Sequence, residues 1–238
     1  MTTHPLTAAL QSRANPERAA AQMRFFKCGP GGYAEGDTFI GVPVPVQRKL
    51  AKEYRHLTLE ELDLFLTSPI HEHRHCALLV MAEQCKDRKQ SEEGRRALAD
   101  FYLAHTAGIN NWDLVDCSAH LILGAWLLEH PEDMPVLDRL AASSNLWEQR
   151  IAVMATFAFI RAGQFEKTFV LAERLLDHPH DLIHKAVGWM IREIGNRDRA
   201  AEEVFLKTRY NKMPRTMLRY AIEKFPEPLR QAYLKGRV

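Results

Sequence analysis

The residues that could do chemistry are concentrated in the stretch 110–116, which reads NNWDLVD. Trp112 and Asp116 are four residues apart, so on a helix they share one face. An aromatic ring beside a carboxylate suits a site that handles cationic or electron-poor groups. A helix start with one of the two asparagines as N-cap explains Asp113 in the first turn. It does not explain Asp116, which lies one turn further in among apolar residues.

Apolar residues elsewhere recur at three- and four-residue spacing, and no alternation typical of strands persists. Asn15 and Pro16 suit an N-cap and a first helical position, and Thr58 with Glu61 forms a capping box. The sequence therefore predicts an all-α protein. The predicted helices span 7–14, 16–27, 46–57, 58–67, 69–85, 91–107, 112–129, 132–142, 146–162, 165–176, 181–194, 198–208 and 214–225.

The chain has 238 residues, a net charge of +2 and four cysteines without a C-x-x-C pair. This composition predicts a soluble protein with reduced thiols, and we expect neither a metal nor another cofactor. The N-terminus lacks the features of a signal peptide and no apolar run approaches the roughly 20 residues that span a bilayer, which favours the cytoplasm. The region 185–238 holds thirteen Lys or Arg against six Asp or Glu. That balance suggests a polyanionic partner, although a solvated basic surface explains it equally well.

Small apolar residues bring five second helices into one register, with leading residues separated by 42, 34, 35 and 34 positions. This period is typical of helix-pair repeats, which stack into an α-solenoid with a concave groove. We predict a single domain over 1–238, with N-terminal helices in 1–57, HEAT-like repeats in 58–225 and a short tail in 226–238. The leading residues of the register are Arg74, Asp116, Arg150, Lys185 and Arg219.

Four cations along a groove would suit a phosphate backbone, and a single carboxylate among them would need a separate task. Chance alignment is the alternative, because charged residues make up 26% of the chain. Trp112, Trp147 and Trp189 each lie three or four residues from a member of this line, so helical spacing brings them near it. Core packing is the alternative for each tryptophan, and it is our expectation for Trp126.

Other features point less clearly to a site. His71, His73 and His75 alternate, which on a helix spreads the rings around the axis, so we expect a solvated helix start. The glycine-rich loop 29–41 lacks a G-K-[ST] sequence and matches neither a P-loop nor a dinucleotide fingerprint. No Ser or Cys has a base at a spacing typical of nucleophilic catalysis.

Several motifs, in order along nearly the whole chain, resemble the bacterial HEAT-repeat alkylpurine DNA glycosylases, the AlkD-like family. They are NPE at 15–17, WDLVD at 112–116, WEQR at 147–150, KAVGW at 185–189 and RE at 192–193. In that family a concave groove of helical repeats clasps duplex DNA, and N3- or N7-alkylated purines are excised. This chain differs at Asn111, where catalytic members often carry an aromatic residue, and in a longer glycine-rich loop from Cys28 to Asp37.

The resemblance implies that Asp116 is catalytic, that Trp112 and Trp189 pack around the deoxyribose of the lesion, and that Arg150 contacts DNA. It also implies a partner, double-stranded DNA with alkylated purines, and a bacterial cytoplasmic location. A solenoid that clasps DNA needs no second subunit, so we expect a monomer. The further candidate DNA-binding residues are Lys185, Arg74, Arg219, Arg192 and Trp147.

The chemistry of such a reaction fits these residue types. A purine alkylated at N3 or N7 is cationic and leaves without a general acid, so one carboxylate can stabilise the positive charge that develops on the sugar and orient water. No lysine lies four residues from Asp116, so we expect a monofunctional glycosylase rather than a Schiff-base lyase. The rival hypothesis is a non-catalytic helical-repeat protein that binds DNA or a peptide without needing Asp116.

Overall fold

The computed structural model describes residues 3–238, and every regular element in that range is a helix. A single isolated bridge, between Thr38 and Ile70, is the β-type pairing within the described residues. The predicted all-α fold class is therefore confirmed. Within residues 3–238, no helix has the combination of length and apolar character that a membrane crossing requires.

The helices follow one another from the start of the described chain to its last residues. The first are α1 Pro5–Gln11, α2 Pro16–Phe25, α3 Val44–Glu53, α4 Leu59–Leu66, α5 His71–Lys86, α6 Glu92–Ala104, α7 Trp112–Ser118 and α8 Leu123–Glu129. The others are α9 Pro135–Ala141, α10 Leu146–Ala155, α11 Phe157–Arg161, α12 Glu166–Arg174, α13 Asp181–Gly195, α14 Arg199–Lys207, α15 Arg215–Ala221 and α16 Glu227–Leu234. Short 3-10 turns lie at Thr106–Gly108, Pro131–Asp133 and Ile222–Lys224.

The predicted helix starts are confirmed by their caps. The Asn15 side chain accepts the backbone N–H of Arg18, and Pro16 is the first residue of α2. Thr58 and Glu61 form both hydrogen bonds of a capping box at the start of α4. These local bonds satisfy backbone donors that a helix leaves without partners in its first turn.

Two predicted long helices are each divided in the structure. The predicted helix 112–129 is α7 and α8, and the predicted helix 146–162 is α10 and α11 with a break at Thr156. At each division a hydroxyl donates to a backbone carbonyl of the preceding turn, Ser118 to Leu114 and Thr156 to Val153. Such bonds compete with the helical ladder and bend or interrupt it. The predicted tail contains a further helix, α16.

The chain forms two compact units, Met1–Trp126 and Leu127–Val238. In the first unit α3, α4 and α7 pack against α5, which is buried from His71 to Ala82. In the second unit α9 and α13 pack against α10, and α14 and α15 pack against α13. Three of the predicted helix pairs thus pack together: α4 with α5, α9 with α10, and α12 with α13. The single domain and the concave groove stay predictions.

The contact between α13 and α15 depends on a glycine. A Cβ at Gly188 would lie 2.4 Å from the carbonyl oxygen of Met217, closer than real Cβ contacts. Gly188 therefore lets the two helices approach along the stretch that also carries Lys185 and Trp189.

A buried carboxyl lies between α13 and α14. Glu202 is 2% exposed, its Oε2 occupies the space that a Cβ at Gly195 would need, and its nearest cation is Arg199 at 3.8 Å. Burial disfavours the charged carboxylate and raises the pKa of Glu202 to about 8, although Arg199 opposes this shift. The folded state therefore holds a proton that the unfolded chain releases at lower pH.

This difference predicts a pH-dependent stability. As pH rises from about 4.5 to about 8, the unfolded chain loses the Glu202 proton first, so wild-type stability falls across that window. We expect Glu202→Gln to remove this loss and to raise the free energy of unfolding at pH 9 by about 1–3 kcal/mol relative to wild type. Urea unfolding at pH 5, 7 and 9 checks it, with Glu203→Gln as control. Parallel pH curves for wild type and Glu202→Gln would contradict it.

Candidate functional site

The helix that carries the Trp112–Asp116 motif starts at a buried asparagine. Asn111 is the N-cap of α7, and its side-chain oxygen accepts the backbone N–H of Trp112 at 2.8 Å. Its side chain is fully buried. An aromatic residue at this position would lose the cap and would need room in the core. The departure at Asn111 therefore has a structural role in this chain.

Helix α7 carries two aspartates, Asp113 and Asp116. Asp113 accepts the backbone N–H of Leu114 through Oδ1 at 2.9 Å and contacts His71 Nε2 through Oδ2 at 2.8 Å. Asp116 follows by three residues and is partly exposed, as is Trp112 one turn before it. The Asp113 side chain is itself 18% exposed, so solvent reaches both carboxylates.

Trp112 belongs to an aromatic cluster formed with the N-terminal segment. Phe26 stacks on it at 5.2 Å between centroids, and Phe25 meets it edge-on at 6.0 Å. The indole N–H donates to the Tyr33 hydroxyl at 3.1 Å. Phe25 is 66% exposed, an unusual state for phenylalanine, so the cluster presents an aromatic surface to solvent. The sequence reasoning missed Phe25 and Tyr33; the paired phenylalanines just before the glycine-rich loop were the available signal.

A buried ionic network lies beneath this cluster. His71 at the start of α5 contacts Asp37 Oδ2 through Nδ1 at 2.9 Å and Asp113 through Nε2. Arg74 bonds the second oxygen of Asp37, the Ser68 carbonyl at 2.8 Å and the Asn110 side chain at 3.1 Å. The network joins the glycine-rich segment, α5 and α7.

The network sets unusual charge states. Burial works against a charged ring at His71, but its hydrogen bonds to Asp113 and Asp37 win and raise its pKa to about 9. Burial likewise opposes the charged form of Asp37, yet His71 and Arg74 hold the pKa of that carboxyl below its usual value. His75, one turn along, lacks such a carboxylate contact, and burial lowers its pKa to about 4.

The expectation that His71, His73 and His75 form a solvated helix start is wrong. All three are buried, because other segments supply polar partners. Besides the aspartates of His71, the Ser68 hydroxyl pairs with His73 Nδ1 at 2.9 Å and Gln47 Oε1 pairs with His75 Nδ1 at 2.6 Å.

The cations of the predicted line differ in exposure. Arg74 and Arg150 are each 4% exposed, and Arg150 donates to the Leu182 carbonyl at 2.5 Å. Lys185 is partly exposed and pairs with Asp181 at 2.8 Å, and Arg219 is exposed. Arg74 is already bonded to a carboxylate and has almost no surface for a phosphate. Its predicted DNA contact stays a prediction, as does that of the equally buried Arg150.

The remaining candidates lie in the second unit. Trp189 is partly exposed, donates to Glu193 at 3.1 Å and lies 6.3 Å from the Phe157 ring. Arg192 forms an ion pair with Glu223, and Trp147 is buried. Trp126, which was expected in the core, is buried in the first unit. Helix α13 therefore brings Lys185, Trp189 and Arg192 together, whereas Trp112 and Asp116 lie on α7 of the first unit.

The burial difference predicts different costs for two arginine substitutions. Arg74→Ala leaves Asp37 with one buried cationic partner fewer, so we expect it to lower the free energy of unfolding by roughly 3 kcal/mol. Arg219→Ala removes an exposed charge and should change it by no more than about 0.5 kcal/mol. Urea unfolding at pH 7 checks both variants. Equal, small effects would show that the Arg74 pair adds nothing to stability.

Comparison with known proteins identifies the family. The family model described as DNA alkylation repair enzyme matches residues 6–225. A structure described as a predicted DNA alkylation repair enzyme from Enterococcus faecalis matches with a TM-score of 0.71 at 18% identity, over 90% of this chain and 98% of that one. The structure of smu.31 from Streptococcus mutans UA159 matches with a TM-score of 0.53 at 16% identity, over 75% and 89% of the two chains. The curated proteins gave no significant match. The chain belongs to the DNA alkylation repair enzyme family.

Proposed function

We propose that this protein is a monofunctional DNA glycosylase that hydrolyses the N-glycosidic bond of cationic N3- or N7-alkylated purines in duplex DNA. Membership of a DNA alkylation repair family supports the substrate class and makes DNA the partner. The observation that carries the proposal is the partly exposed Asp116 one helical turn after Trp112, whose ring meets the exposed Phe25 edge-on. The protein acts as a monomer in the cytoplasm.

The proposed reaction uses one carboxylate for two tasks. Alkylation makes the purine a cation, so it departs with the bonding electrons as a neutral base. Positive charge then develops on C1′ of the sugar, and the Asp116 carboxylate stabilises it electrostatically. The same carboxylate orients a water that attacks C1′, and the proton that this water loses passes to the solvent. The products are the free base and an abasic site.

The aromatic residues supply the surface around the reacting sugar. An indole face favours a cation by roughly 0.5–2 kcal/mol, and more when water is excluded. Trp112 is held by Tyr33 and Phe26, so its face is fixed before the substrate binds. Trp189 is proposed as the second aromatic contact on the lesion.

Phosphate binding is assigned first to Lys185 and Arg219, whose side chains reach solvent. Each cation that neutralises a phosphate releases a counterion from the DNA. Arg150 and Trp147 are buried, and Arg192 is paired with Glu223. The DNA contacts of these three residues stay predictions.

The first functional prediction concerns Asp116. Asp116→Asn removes the negative charge while keeping the shape, so release of 7-methylguanine from a methylated duplex should fall by at least about 100-fold. Affinity for undamaged duplex DNA should stay within about twofold, because loss of an acid does not weaken phosphate contacts. Glu53→Gln, which neutralises an exposed acid on α3, is the control and should keep full activity.

Full activity in Asp116→Asn would refute the role of this carboxylate. A wild-type protein that binds DNA tightly but releases no base from any alkylated duplex would instead favour the non-catalytic DNA-binding protein.

The second functional prediction concerns the phosphate contacts. Lys185→Ala and Arg219→Ala should each weaken binding uniformly across DNA sequences and reduce the slope of log affinity against log salt by about 1. Fluorescence anisotropy between roughly 50 and 200 mM salt measures this slope. Lys49→Ala, at an exposed position on α3, is the control. An unchanged slope would remove that residue from the DNA interface.

A further inference from the structure

Both ring nitrogens of His71 contact carboxylates that belong to other segments of the chain. Nδ1 lies 2.9 Å from Asp37 Oδ2 and Nε2 lies 2.8 Å from Asp113 Oδ2. A carboxylate can accept but not donate, so both contacts are hydrogen bonds only when the ring carries two protons. His71 is therefore an imidazolium between two anions.

The two carboxylates belong to the segments that hold the proposed site. Asp113 is in the first turn of α7, directly after Trp112 and three residues before Asp116. Asp37 ends the glycine-rich loop, whose Tyr33 hydroxyl accepts the Trp112 indole N–H. His71 thus bridges the helix that carries the motif and the loop that holds the motif's tryptophan.

Further contacts fix His71 with respect to the same loop. Its backbone N–H donates to the Thr38 carbonyl at 2.8 Å. The carboxylate of its neighbour Glu72 accepts the backbone N–H groups of Ile40, Gly41 and Val42 at 2.7–3.2 Å. The glycine-rich segment is therefore anchored to the start of α5 through its backbone, and the Asp37 side chain adds a link to α7 through His71.

Stacked aromatic rings connect His71 to Trp112 through Phe26. The His71 ring lies 4.3 Å from Phe39 at 21°, and 5.3 Å from Phe26. Phe26 in turn stacks on Trp112. A protonated imidazole on an aromatic face gains cation–π attraction, so the ring stack also favours the charged form.

We propose that His71 is a positioning residue of the glycosylase site: its doubly bonded imidazolium sets the placement of Trp112 and Asp116 relative to the glycine-rich loop. This inference rests on the proposed function for its catalytic consequence. The placement itself depends only on the contacts around His71.

The charged neighbours decide how the bridge responds to pH. Asp37 faces His71 from the loop and Asp113 from α7, while Arg74 and His75 lie on α5 itself and Arg48 on α3 lies near His75. Cys28 lies close enough to Asp37, and Cys117 to Asp113, to feel their charge. Two carboxylates against one ring hold the proton, and the pKa of His71 is about 9 against an ordinary 6.5.

The raised pKa of His71 makes the stability of the folded state depend on pH. The stabilisation by the charged His71 ring is complete below about pH 6.5 and is lost as pH rises through about 9. A neutral ring can donate to one carboxylate and not to both. At alkaline pH His71 therefore loses one of its two hydrogen bonds, either to Asp37 or to Asp113.

The kinetic test compares His71→Gln with wild type and with His73→Gln, which changes a buried histidine on the same helix without a carboxylate contact. We expect His71→Gln to lower kcat for 7-methylguanine release by roughly 10- to 100-fold, because a displaced site loses its geometry. Affinity for undamaged duplex should change less than about twofold. The wild-type kcat should fall with a midpoint near pH 9, after correction for release without enzyme, and the His71→Gln profile should lack that limb.

A second measurement needs neither activity nor a variant at His71. In protein labelled with 5-fluorotryptophan, the Trp112 resonance, assigned with Trp112→Phe, should titrate with the same midpoint as the His71 ring nitrogens. The Trp189 resonance should not follow it. Tyr33→Phe serves as the control for titration of the hydroxyl that Trp112 contacts.

A His71 midpoint near 6.5, or a Trp112 resonance that ignores the His71 titration, would overturn the positioning role. So would a His71→Gln variant with wild-type kcat and an unchanged pH profile. If the wild type releases no alkylated base but Trp112 titrates with His71, the proposed function fails and the positioning role of His71 stands.

Discussion

The interaction on which the first unit depends is the charged bridge from Asp37 through His71 to Asp113. Removing charges from water is costly, and an anion or cation left alone in the interior would cost several kcal/mol. In this network each buried charge has a partner, because Arg74 adds a second cation beside Asp37. The network holds three segments that are far apart in sequence, and it ends directly below the motif helix. Stability and site geometry therefore depend on the same contacts.

The bridge uses only Asp113 of the two aspartates on α7, Asp113 and Asp116. Asp113 is directed to His71, while Asp116 remains partly exposed beside Trp112. The two residues are three positions apart, so their carboxylates lie on neighbouring parts of the helix surface. A short helix with a buried asparagine cap thus carries a structural carboxylate, Asp113, and, in our proposal, a chemical one, Asp116.

The sequence predicted the helical class, the caps at Asn15 and Thr58, and the paired packing of helices, because these follow from local spacing and local hydrogen bonds. It failed where a distant partner decides burial. Arg74 shares a register with Arg219, but Asp37 and Asn110 draw it into the core, and nothing near it in the sequence signals them. The histidines of α5 were misread for the same reason. Helix divisions at Ser118 and Thr156 were missed because periodicity continues across them.

The candidate site was predicted in part. The Trp112–Asp116 spacing identified the motif, and the structure adds Phe25, Tyr33 and His71, which only tertiary contact brings to it. The segment that looked like a long glycine-rich insertion contributes an aspartate to the core rather than a phosphate cradle. Its glycines allow the turns that carry Asp37 to His71, and Gly31 and Gly36 adopt positive φ within it.

We propose that a fixed carboxylate assists cleavage of a bond which the lesion's own charge has already weakened. Single-turnover base release from two matched duplexes, one containing 7-methylguanine and one its neutral isostere 7-methyl-7-deazaguanine, tests this dependence on the charge of the base. We expect release of the cationic base and none of the neutral one. Failure to release 7-methylguanine, or equal release of both bases, would contradict it.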